Sequence, residues 1–151
     1  MSAVMDATWR GEEFVAANGE IIATYAAGTG NSTGVLVVGE SENITISHTA
    51  GAVRWEVTGD SGEEAFSIRT HGFGVGTLTA RCGQRRYRLE RAGLLSKKRR
   101  ISDAEGAVIA ETAPRGLGDL AVSMNVASTA DIAFMSWALT LIDTPVRQTR
   151  I

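Results

Sequence analysis

Residues 132–142 are apolar except at Ser136 and Thr140, and this short stretch limits the possible folds more than any other part of the chain. A bilayer span needs about 20 apolar residues, so the run is too short to cross a membrane as a helix. Ser128 is placed to cap a helix and Asp131 to face its positive end. Pro145 would stop it, which predicts one helix over Thr129–Asp143. Wound at 3.6 residues per turn, the apolar side chains cover nearly the whole circumference. Ser136 and Thr140, four residues apart, leave one narrow polar stripe. A helix apolar on all sides has to be enclosed on all sides.

The preceding residues supply the enclosure. Apolar and polar side chains alternate at Ile44/Ile46, at Val53/Trp55/Val57, at Phe66/Ile68 and at Tyr87/Leu89. This period of two puts one face of a strand inward. Asn18-Gly19 predicts a type I′ hairpin turn between residues 13–17 and 20–26. Residues 28–34 form a loop of small polar residues. Further strands are expected at 35–38, 77–81, 84–91, 97–102, 107–112 and 117–126, with a turn at Asp103-Ala104-Glu105-Gly106. Seventeen glycines against two prolines suit so many turns. About eleven strands and one fully apolar helix fit best in a closed antiparallel barrel of 11–12 strands around a central helix, which also leaves no sheet edge exposed. The whole chain, 1–151, is expected to be one domain. Phe14, Gly19, Ile21, Ile22 and Ala23 recur 87 residues later as Ile101, Gly106, Val108, Ile109 and Ala110, as two related β halves would require.

The stretches Gln84-Arg85-Arg86-Tyr87-Arg88-Leu89 and 99–110, followed by the helix at 132–142, resemble the tubby C-terminal-like superfamily, which includes LURP-one-related proteins and phospholipid scramblases. The resemblance covers roughly the last 70 residues; before them only the strand rhythm agrees. It implies a closed barrel of about twelve strands around a hydrophobic C-terminal helix. It also implies a membrane-associated role, since tubby domains bind phosphoinositides through basic residues. The cysteine-rich stretch of scramblases is absent from this sequence.

No pattern of residues suggests catalysis. Cys82 has only His48 and His71 as potential bases and no evident orienting group. Two histidines 23 residues apart and one cysteine lack zinc-site spacing, so no metal or other cofactor is expected. The glycines at 72–76 precede a strand, not the helix a phosphate loop needs. Glu12-Glu13 and Glu63-Glu64 are adjacent on strands and point to opposite faces, which makes neither an acid/base couple.

Charge is distributed unevenly. Residues 1–80 carry ten acidic and three basic side chains; residues 81–151 carry twelve basic and seven acidic. Strand parity places Tyr87, Leu89 and Ile101 inside and Arg86, Arg88, Lys98 and Arg100 outside. If the two strands pair, these four form one outer basic patch. The expectation is a non-enzymatic binding or scaffold domain that meets anionic phospholipid there. A protein-interaction or self-associating module is the alternative. Nucleic-acid phosphates offer the same chemistry but are less favoured as a partner. With no secretory signal in residues 1–10 and a single cysteine, a cytoplasmic location is expected, peripheral at the membrane if lipid is the partner.

Overall fold

The structure, a computed structural model, describes residues 3–28, 33–40, 42–50, 55–72 and 74–144. Four expectations fall partly outside these: the middle of the 28–34 loop, the strand start at Val53 and Arg54, Phe73 in the glycine run, and the stop at Pro145.

Twelve strands follow one another: β1 (Val4–Arg10), β2 (Glu13–Ala16), β3 (Ile21–Ala27), β4 (Thr33–Val38), β5 (Glu42–Ala50), β6 (Trp55–Asp60), β7 (Ala65–Thr70), β8 (Thr77–Cys82), β9 (Arg85–Arg91), β10 (Arg99–Asp103), β11 (Val108–Arg115) and β12 (Asp119–Asn125). Each pairs antiparallel with its neighbour in sequence, and β1 pairs with β12 to close the barrel. The strand beyond the expected eleven is β1. Its Ala7 and Trp9 are buried between outward Asp6, Thr8 and Arg10, so the period of two is present there as well.

The helix α1 (Thr129–Asp143) is buried from Asp131 to Asp143. The stretch Val126–Asp143 has a mean hydropathy of 1.2, apolar enough for a membrane helix. Here the barrel takes the place of lipid. Inward side chains of all twelve strands join the helix in one core. Ser136 in the polar stripe accepts a hydrogen bond from Trp9 Nε1 at 2.8 Å, and Thr140 donates to the Trp137 carbonyl. Trp137 stacks on Tyr25 with ring centroids 4.2 Å apart. At Gly59 a Cβ would sit 2.7 Å from Ile44 Cγ2 and 3.1 Å from Phe134 Cε1, so the missing side chain is what lets the helix approach β6.

The helix start differs from expectation. Ser128 makes no capping hydrogen bond. Asn125 Oδ1 instead accepts from Ala127 N–H, opening a single 3-10 turn (Val126–Ser128), and Thr129 Oγ1 closes it on the Val126 carbonyl. The turn reorients the chain from the wall into the interior.

The 87-residue repeat is real as geometry. In the β2–β3 hairpin, Gly19 N–H donates to the Ala16 carbonyl and Ala16 N–H to that of Glu20; in β10–β11, Gly106 bonds Asp103 and Asp103 bonds Ala107. Gly19 and Gly106 have φ of 90° and 85°. Among the described residues none other than glycine has a positive φ, so Asn18 does not form the expected type I′ turn; a three-residue loop ending in a left-handed glycine replaces it. The pairing slips at Phe14/Val15 and again at Ile101/Ser102, leaving Ile22 and Ile109 as the extra bulge residues. The two hairpins are eight strands apart, however, and halves of a twelve-strand barrel would be six apart. The repeat is one hairpin form used twice.

Candidate anion-binding face

Strand β9 divides its arginines by parity. Arg85, Tyr87, Leu89 and Arg91 belong to the inward set; Arg86, Arg88 and Glu90 point out. On β10, Arg99 and Ile101 are buried while Arg100 is exposed, and Lys98 just before it is exposed. All four residues expected outside are therefore outside, and β9 and β10 do pair.

They do not gather into one patch. Arg100 lies opposite Glu90 on one side and Glu111 on the other. Arg88 Nε is 3.3 Å from Glu90 Oε1, both half-exposed. Arg86 faces Arg81 of β8, a residue the sequence reading left out although its alternation with buried Ala80 and Cys82 places it outside. Neither Arg81 nor Arg86 has an ion-pair partner among the described residues. At about 3.3 Å per residue, Arg86 and Lys98 are roughly 20 Å apart along the wall.

Lys98 and Arg100 line a groove of about 970 Å³ over the outer surface of β9–β12 and β1. Thr8, Ala113 and Ala121 also line it. Arg10 and Arg115 add positive charge to its walls, and Asp6, Glu90, Glu111 and Asp119 add negative charge. The groove is polar and of mixed sign.

The inward arginines hold the helix. Arg85 donates to both oxygens of Asp131, at 2.6 and 3.0 Å, and to both oxygens of Glu64, each at 3.0 Å. Tyr87 also donates its hydroxyl to Asp131. Asp131 thus serves as an anchor to the wall in addition to lying in the helix's first turn. At the other end Asp143 takes Arg99 Nε at 2.6 Å and Arg91 at 3.0 Å. Arg99 also donates to the carbonyls of Val75 and Gly76, tying the β7–β8 loop across the barrel mouth. That loop turns through left-handed Gly72 and Gly74 into β8.

Hydrogen bonds from Arg85 hold the Glu64 carboxyl below its ordinary range, and both acids hold the Arg85 guanidinium charged. Burial, then the bond to Asp131, raises Tyr87; burial, then the charge of Asp131, raises the fully buried Cys82 thiol. A thiol kept protonated is a poor nucleophile. His48 packs against Trp137 and pairs across to Val57, while Cys82 pairs with Phe66 and Arg85 on other strands. Among the described residues, no three His, Cys, Asp or Glu side chains converge as metal ligands.

No protein-family model and no curated protein matches the sequence. An X-ray structure of a protein from Arabidopsis thaliana is similar in fold: its TM-score is 0.60 at 17% identity, over 94% of this chain and 91% of that one. At that identity the likeness establishes architecture alone. That architecture is the closed twelve-strand barrel with one C-terminal helix.

Proposed function

We propose that this protein is a non-enzymatic binding domain that engages anionic phospholipid with the outer arginines of β8–β10. The carrying observation is the pair Arg81 and Arg86. They stand directly opposite each other on neighbouring strands with no carboxylate between them. Like charges in that position destabilise a sheet, and a bound phosphate removes the penalty. Arg88 flanks the pair along β9 but is shared with Glu90, while Arg100, set between Glu90 and Glu111, and Lys98, roughly 20 Å away, stand apart from it. The opposite wall carries the opposite sign. Six strands away from β9 lies β3, and residues 11–53 contain five glutamates and no lysine or arginine. Such a molecule orients itself before an anionic surface, arginine side first. The resemblance to tubby domains, which bind phosphoinositides through basic residues, supports the same reading. An anionic cytoplasmic leaflet is the natural location for it.

Sedimentation with vesicles tests the reading. Phosphatidylcholine vesicles containing phosphatidylserine should pellet the protein at low salt, and pure phosphatidylcholine should not. At about 1 kcal/mol per basic side chain, replacing Arg81 and Arg86 by Gln together should weaken binding by roughly 25-fold. Equal recovery with neutral and anionic vesicles would end the proposal. The mixed-sign groove favours a second reading, salt-sensitive self-association. Light scattering at low and high salt tests that one, and a monomer in both refutes it.

A further inference from the structure

The β9–β10 connection is an ordered projection. Ala92 N–H donates to the Lys98 carbonyl at 2.9 Å and closes its base. Ser96 N–H donates to the Gly93 carbonyl at 3.2 Å and closes its tip. The tip is therefore a four-residue turn with Leu94 and Leu95 at its two corners. Both side chains are completely exposed, at 101% and 102%, more than any other large apolar residue described. Turn corners ordinarily carry glycine, proline, asparagine or aspartate, so solvent exposure alone does not account for two leucines there. Lys97 and Lys98, the chain's two lysines, follow immediately. In an antiparallel barrel the β11–β12 connection emerges at the same end, and it presents Leu117 at 80% exposure beside exposed Arg115.

We propose that the Leu94-Leu95 turn is an apolar anchor that enters the interfacial layer of an anionic bilayer, with Lys97 and Lys98 on the headgroups and Leu117 as a second contact. The inference rests on the lipid reading above and deepens it: β9 runs roughly 20 Å from Arg86 at one end of the barrel to this turn at the other, so the wall would lie along the headgroups with the turn entering at its end. A charged wall ending in an apolar tip rimmed by lysines has the chemistry of an interfacial membrane contact.

A tryptophan at the tip tests it in the full-length chain. The native tryptophans at 9, 55 and 137 are at most 5% exposed and provide a shielded background. With phosphatidylcholine/phosphatidylserine vesicles carrying brominated acyl chains, the L95W variant should show blue-shifted and quenched emission, and the native chain should not. The L94S/L95S double variant should bind the same vesicles roughly tenfold or more weakly, given the apolar groups withdrawn from lipid, and keep a residual salt-sensitive component. If L95W pellets with anionic vesicles unquenched and L94S/L95S binds like the native chain, the anchor is overturned and the arginine face stands. If the native chain pellets with no vesicle, both fall. If L94S/L95S changes oligomeric state but not vesicle binding, the turn is a protein contact and the anchor is overturned.

Discussion

Asp143 accepts the Arg99 Nε–H hydrogen bond at 2.6 Å with both side chains fully out of water. An aspartate in the last turn of a helix faces the negative end of the macrodipole, so it needs a cation. It has two, because Arg91 stands opposite Arg99 in the sheet and donates to the same carboxylate. Asp131 and Asp143 are twelve residues apart, about 18 Å of helix. Arg85 and Arg91 are six apart, about 20 Å of strand. One strand therefore presents inward arginines at the spacing of the helix's two aspartates. Asp143→Ala leaves a buried guanidinium unpaired and should cost about 3–5 kcal/mol. Replacing Asp143 by Leu and Arg99 by Met together should recover most of that loss. Urea unfolding of the single and double variants checks both.

Phe134 of the helix reaches the wall at Gly59, where a side chain on β6 would have no space. A Cβ there meets Ile44 and Phe134, both fully buried. Gly59→Ala should destabilise by about 1–3 kcal/mol through overpacking. Gly76→Ala, where a Cβ meets nothing within 4 Å, is the control and should change stability by less than about 0.5 kcal/mol. Equal unfolding midpoints for the two variants would contradict the packing at β6.

Burial raises both Cys82 and Tyr87 from their ordinary values of 9.0 and 10.0. Above pH 9 the unfolded chain releases a thiol proton that the folded chain keeps, so the folded state binds more protons and stability falls as pH rises. Cys82→Ala should flatten the decline between pH 9 and 10 and leave the part that begins near 10. In the native protein at pH 8, Cys82 should resist a thiol reagent until denaturant is added; prompt stoichiometric labelling would contradict its enclosure.

Arg81 and Arg86 should act against stability while serving binding. Arg81→Gln relieves a like-charge pair and should raise stability by a few tenths of a kcal/mol, about 0.2–1 at low salt, with the gain fading as salt screens the pair. Thermal melts at two ionic strengths decide this. A melting temperature that falls, or a gain unaffected by salt, would show that the two guanidinium groups do not repel.

The helix was legible because eleven nearly unbroken apolar residues admit few environments. The outward set Arg86, Arg88, Lys98 and Arg100 was legible from parity. The partners were not. Arg85 and Arg99 lie on inward positions, and parity alone says only that they face an apolar core. Their aspartates are 46 and 44 residues away on the helix. Asp131 had a sufficient local explanation as a helix-start acid, which hid its role as an anchor. Arg81 and Glu90 show a further limit: whether outward charges form a patch depends on register, and register set Arg86 against Arg81 but Arg100 against Glu90.

Hydrogen exchange followed by mass spectrometry tests the enclosure of the helix directly, with no substitution. A helix surrounded on every side by a closed barrel can expose its amides only when the barrel opens. Peptides covering residues 132–142 should therefore exchange as slowly as the most protected strands, with an opening free energy equal to that of global unfolding. Exchange of those peptides while the strands stay protected would place the helix outside the barrel and contradict the fold.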